Sequence, residues 1–248
     1  MAEAQVQPLW CSPALSESAL AAELIGGGAE VVLDYGGWGH EGGALARACA
    51  SAGKPLLQLS SARVFGQASS PWLEACTIAP IDEAGRRFAV AESLAALSHN
   101  HLILRLPWVL DLPGGLMAQL LERLSAGGEL AVSDQVRGAA ITLHSVARAA
   151  VAMSRQVMWG ADNWGVFHLR SADTCTEAEL ADFFARALKR SGCAAASVRV
   201  GPAGPLSPYP AALEGNRLTD DFGIQLQPWR HGLKGRVKHW LGEQAAPA

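Results

Sequence analysis

The chain has 248 residues, half of them hydrophobic and 17% charged, with a formal net charge of −3. That length supports a sizeable core in one large or two small domains, and the composition excludes a disordered chain. So small a net charge leaves no footprint for nucleic acid or an anionic membrane, MAEAQVQPLW is not a secretory signal, and no apolar run nears the ~18 residues of a membrane helix.

Ser16 opens a helix through about Ile25, where SESALAAELI spaces its apolar residues helically and Gly26–Gly28 stop it. Glu30–Tyr35, EVVLDY, reads as a buried parallel strand. A glycine-rich turn, a helix over Ala44–Ser51 and a strand over Leu56–Ser60 follow, with Gly53 and Pro55 between the last two. Residues 69–82 are a loop, Glu83–Leu97 a long helix and Leu102–Val109 a strand. Then come a helix at Leu116–Leu124, a strand at Glu129–Ser133, a helix at Ser145–Met153 and a strand at Gly165–Leu169. Thr176 and Glu179 form a capping box for a helix through about Lys189. Residues 201–210 are a loop rich in proline and glycine, and the last helix runs from about Trp229 to Leu241. Helix and strand alternate at short spacing, so the fold class is α/β with a Rossmann-like parallel sheet. Residues 1–170 form that domain, and 171–248 form a small C-terminal lobe packed with it as one unit.

Five cysteines, Cys11, Cys49, Cys76, Cys175 and Cys193, are scattered without a C-x-x-C, which fits reduced packing thiols and a cytoplasmic protein. No metal site is expected: His99 and His101 suggest no third ligand and belong to a solvated turn. Gly37, Gly39 and Gly42 match G-x-G-x-x-G between a strand and a helix, a setting that can seat a phosphate at a helix N-terminus. The strand after it ends in Ser60-Ser61, with no carboxylate for a ribose. The final helix carries His231, Lys234, Arg236, Lys238 and His239, a basic face for solvent or a protein partner, with Trp229 and Trp240 anchoring the other side.

LLQLSSARVFG (56–66), LILRLPWVLD (102–111), SDQVRGAAITLHSVARAAVAM (133–153), GVFHLRSADTCTEAELADFFARAL (165–188) and RLTDDFGIQLQPWRHGL (217–233) stand in a telling order. Together they resemble the extended short-chain dehydrogenase/reductase family, in its dTDP-4-dehydrorhamnose reductase branch. The resemblance implies substrate-binding roles for Ser61, with Ser60 beside it, and for Trp108. It also exposes two losses. The family's N-terminal strand and glycine motif have no counterpart in the roughly 30 residues before EVVLDY, so the scaffold is N-terminally shortened. The family's Tyr-x-x-x-Lys pair falls on Ala84 and Phe88, neither of which transfers a proton or holds a charge. The resemblance and its losses imply a non-catalytic protein that binds a ligand or a protein partner, or forms homo-oligomers, as a regulatory or structural subunit with no cofactor. The alternative is an NAD(P)-dependent nucleotide-sugar reductase or epimerase with a rearranged site. There the Gly37–Gly42 turn would hold the cofactor, and His40 or His144 would replace the tyrosine.

Overall fold

The computed structural model describes residues 15–35, 43–66, 71–201 and 209–245. A parallel sheet of four strands lies at its centre, β1 (Val32–Asp34), β2 (Leu56–Ser61), β3 (His101–Leu106) and β6 (Gly165–His168), in the order β1-β2-β3-β6. Helices α1 (Glu17–Gly26), α2 (Ala44–Ala52) and α3 (Glu83–Ala95) cover one face, where Leu20, Leu24, Leu45, Cys49, Leu56 and Ile103 pack together. Helices α5 (Leu143–Met158) and α7 (Arg217–Phe222) cover the other, against Leu57, Leu102, Leu104 and Phe167. Side chains alternate across a strand, so β2 and β3 feed apolar groups to both layers, and each layer buries one stripe of its helices.

EVVLDY departs from its buried reading. Only Val32–Asp34 form the strand, and Leu33 is 49% exposed. β1 is the sheet edge among the described residues, so one of its sides has no strand to cover it. β3 stops at Leu106 because Pro107 has no N–H to donate to the ladder. Trp108 and Val109 therefore leave the sheet, and Val109 forms a bridge with Ile141 instead. α5 starts before Ser145, capped by the Thr142 side chain, and runs on to Met158.

A second layer packs beyond the C-terminal edge of the sheet. It comprises α4 (Leu116–Ser125), β4 (Glu129–Ser133), β5 (Arg137–Gly138), β7 (Cys175–Thr176), α6 (Glu177–Arg190), β8 (Ser197–Gly201) and α8 (Leu233–Ala245). β4 pairs in parallel with β8, and β5 antiparallel with β7, so this lobe draws strands from both sides of residue 170. Its core joins Leu120, Leu121, Phe183, Phe184, Trp229 and Trp240 to Val64, Phe65 and Trp108 from the sheet domain. The capping box of Thr176 and Glu179 opens α6 with both bonds made. Two short strands (β5, β8) and α7 have no periodicity long enough to announce them. The last helix begins at Leu233, four residues past Trp229, which sits buried in the preceding turn. Among the described residues no helix is long and apolar enough to cross a membrane.

Candidate functional site

The candidate site lies where β2 and β3 end. Ser60 is 2% exposed and faces α3, where its hydroxyl donates to Glu92 Oε1 at 2.6 Å. Arg105 of β3 grips the same carboxylate with two bonds, Nε to Oε1 at 2.9 Å and Nη2 to Oε2 at 2.7 Å. Its Nη1 donates to the Glu74 carbonyl at 3.3 Å and reaches His168 Nε2 at 3.5 Å. His168 donates from Nδ1 to the Glu214 carbonyl at 2.8 Å. Burial pushes the His168 imidazole down to about 4, with the Arg105 and Arg170 charges acting the same way, so the ring is neutral near pH 7. This network ties β2, α3, β3 and β6 together and leaves the Ser60 hydroxyl committed to Glu92.

Ser61 points the other way, as the next residue of a strand must. Its Oγ accepts from the Arg63 amide at 3.2 Å, closing the short 3-10 turn Ala62–Val64, and lies 3.5 Å from the hydroxyl of Tyr209. Tyr209 arrives from the lobe. Its Oη donates to the Pro107 carbonyl at 3.4 Å, and its own carbonyl accepts from Trp108 Nε1 at 3.0 Å. The Arg63 guanidinium stacks 4.3 Å from the centre of the Tyr209 ring, a cation–π contact. Arg63 also pairs with Asp82 at 2.5 Å, and the other oxygen of Asp82 accepts from the Gly85 amide to cap α3. A Cβ at Gly85 would sit 2.2 Å from the Arg63 carbonyl oxygen, so glycine is what lets α3 come this close. Burial raises the Tyr209 phenol above its usual range, while the Ser61 bond and the Arg63 charge pull it back. Tyr209 is a proton-bearing phenol at neutral pH.

Trp108 is a buried wall of this site, 3% exposed. Its ring lies against Gly138, where a Cβ would come within 2.4 Å of it. Ala84 and Phe88 stand on the first two turns of α3, and the Phe88 ring packs against the lobe core. No charge or exchangeable proton stands at either position. His144 is exposed in the first turn of α5. Gly37, Gly39, His40 and Gly42 lie outside the described residues.

The flanks of that turn are described. β1 leads to Asp34, and α2 follows Gly43, whose φ of +78° is left-handed; among the described residues no side chain caps this helix start. The described groups that would receive a phosphate are the first amides of α2. Glycine is favoured at position 43 by that left-handed φ; a Cβ there would meet the tip of Leu97 at 2.8 Å, and that exposed side chain can move aside. β2 ends in Ser60 and Ser61, so no carboxylate stands at that strand end for a ribose.

Among the described residues no three metal-ligating side chains cluster. His99 is exposed in the turn, whereas His101 is half-buried as the first residue of β3, where its Nδ1 bonds the Ser98 carbonyl at 2.6 Å; the solvated turn therefore holds for His99 and not for His101. Cys49, Cys76, Cys175 and Cys193 are free thiols. On the basic last helix Arg236 pairs with Asp111 at 3.1 Å.

The sequence reading missed Tyr209. Its signal was slight: it is one of only two tyrosines and stands between Pro208 and Pro210. The buried network was missed as a set, although Glu92, Arg105 and His168 each interrupt an apolar run.

The fold defines a protein of the extended short-chain dehydrogenase/reductase class. The model of the RmlD substrate binding domain matches residues 39–241. The chain belongs to that family. It is 28% identical to a dTDP-4-dehydrorhamnose reductase of Sinorhizobium fredii, over 78% of this chain and 69% of that one. It is 29% identical to one of Burkholderia thailandensis, over 90% and 78%. Among solved structures, the enzyme WbmG of Bordetella bronchiseptica in complex with NAD superposes with a TM-score of 0.72 at 17% identity, covering 92% of this chain and 76% of that one. A dTDP-4-dehydrorhamnose reductase from Clostridium acetobutylicum gives 0.63 at 21%, covering 82% and 71%. At these identities the two structures speak for the fold.

Proposed function

We propose that this protein acts on a nucleotide sugar as an NAD(P)-linked reductase or epimerase with a rearranged site. The observation that carries this reading is the hydroxyl of Ser61 at the end of β2, standing beside a second hydroxyl and walled by Trp108. Support comes from the relatives, which are dTDP-4-dehydrorhamnose reductases, and from neighbours solved with NAD, with NADP, and with UDP or UDP-glucose. The sugar would lie over the ends of β2 and β3, with Ser61 donating to the oxygen on its reacting carbon. Trp108 and Phe65 would keep water from that carbon, which strengthens the hydrogen bonds to its oxygen. A dinucleotide would rest its phosphate on the turn between Asp34 and Gly43, and when bound supplies a hydride to the sugar carbon.

A second reading has its own observation. Ala84 and Phe88 remove the usual acid and its cation, as in a non-catalytic subunit that only binds the sugar or a protein partner, in the cytoplasm and without a cofactor. Calorimetric titration with NADPH, NADH and UDP-glucose separates the two. Micromolar binding of dinucleotide and sugar supports the enzyme, and Gly39→Leu should then abolish dinucleotide binding. Sugar binding with no dinucleotide binding at millimolar concentration supports the binding subunit. Binding of neither defeats the enzyme reading.

A further inference from the structure

We propose that Tyr209 is the proton donor of this site, taking over from the lobe the role that Ala84 cannot fill on α3, with Arg63 as its cation. The inference rests on the function proposed above. Tyr209 Oη stands 3.5 Å from Ser61 Oγ and 3.4 Å from the Pro107 carbonyl. Both separations are long for O–H···O contacts, whose preferred length is about 2.7–2.8 Å. Neither hydroxyl is therefore locked into a strong bond. Two oxygens this far apart can each reach one further oxygen at about 2.8 Å, which is the arrangement that polarises a carbonyl. The sugar oxygen would take up the bonding that the two hydroxyls now share weakly.

The surroundings of the phenol fit this role. Trp108 Nε1 fixes the Tyr209 backbone at 3.0 Å, and the Arg63 guanidinium lies 4.3 Å from the ring centroid. Asp82 holds that guanidinium in place, and Gly85 lets α3 bring Asp82 to it. As the carbonyl carbon of the sugar gains a hydride from the reduced nicotinamide co-reactant, its π pair moves onto oxygen. The Oη–H bond of Tyr209 then breaks and its proton passes to that oxygen, giving the alcohol. The pair left on Oη makes a phenolate beside Arg63, and water returns the proton. In the chain order of the family the acid and its cation share one helix; here the acid comes from residue 209 and the cation from residue 63.

The test is Tyr209→Phe, which keeps the ring, the Arg63 contact and the backbone carbonyl. With NADPH and dTDP-4-dehydrorhamnose, kcat should fall by 100-fold or more, the scale of a lost general acid. UDP-glucose should bind about tenfold more weakly, the scale of one lost hydrogen bond. An ultraviolet phenolate titration gives a readout free of turnover. Tyr35, 69% exposed, is the other tyrosine of the chain and serves as the internal reference. Tyr209 should titrate later, later still in Arg63→Leu, and shift when UDP-glucose binds. Unchanged kcat and affinity in Tyr209→Phe overturn the inference alone. So does a wild type that binds sugar and dinucleotide without turnover, or a Tyr209→Ala variant that binds sugar more tightly, which would make Tyr209 a plug. A wild type that binds no nucleotide sugar defeats the proposed function, and the inference falls with it.

Discussion

Ser60 and Ser61 are neighbours in sequence and opposites in environment. Ser60 turns into the layer between β2 and α3, where a carboxylate, a guanidinium and a neutral imidazole satisfy one another out of water. Ser61 turns toward the lobe, where its partners are a half-buried tyrosine and a turn amide. One serine belongs to a closed network in which each group depends on the rest. The other has hydrogen-bonding capacity to offer. The difference shows that identical residues on one strand take different partners according to the face they occupy.

The sharpest way to break the comparison is Arg105→Ala. It strands the Glu92 carboxylate in a site only 6% exposed and should cost about 3–5 kcal/mol, read as a drop in the urea midpoint. An unchanged midpoint would mean that the network does not hold the sheet to α3. Next in size is the pH dependence of His168. Its folded value, about 4, lies below the 6.5 of the free side chain. The unfolded chain therefore takes up the proton first. Stability is full above pH 6.5, falls as pH drops from 6.5 to 4, and levels off below 4. The gap of about 2.5 units sets a loss of roughly 3–4 kcal/mol, at about 1.4 kcal/mol per unit. His168→Asn should flatten urea titrations across that window; a slope that persists would assign it elsewhere.

The two serines give the smaller effects. Ser60→Ala removes a buried bond to a charged acceptor and should cost about 1.5–3 kcal/mol in stability, with UDP-glucose affinity unchanged. Ser61→Ala should cost under about 1 kcal/mol, since its bonds are long, and should weaken UDP-glucose about tenfold. Calorimetry and urea melts on the pair should give opposite patterns. The same pattern from both would dissolve the distinction.

Much of the framework was legible in the order of residues. Local signals placed the N-caps at Ser16 and Thr176, the glycine stop at Gly53 and the alternation of helix and strand, because caps, stops and periodicity act within a few residues. The family was legible too, through the order of its resembling segments. The strand at residues 197–201 was not, because its partner lies at residues 129–133 and supplies what its own sequence lacks.

The sequence by itself determined the α/β class and the family resemblance. The tertiary structure alone decided which serine faces the lobe, that Glu92, Arg105 and His168 form one buried set, and that Tyr209 meets Ser61 across a separation of 148 residues. The physical reason is range. Propensity and capping are short-range and are written along the chain, whereas a hydroxyl pair or a buried charge network exists only after distant segments have packed.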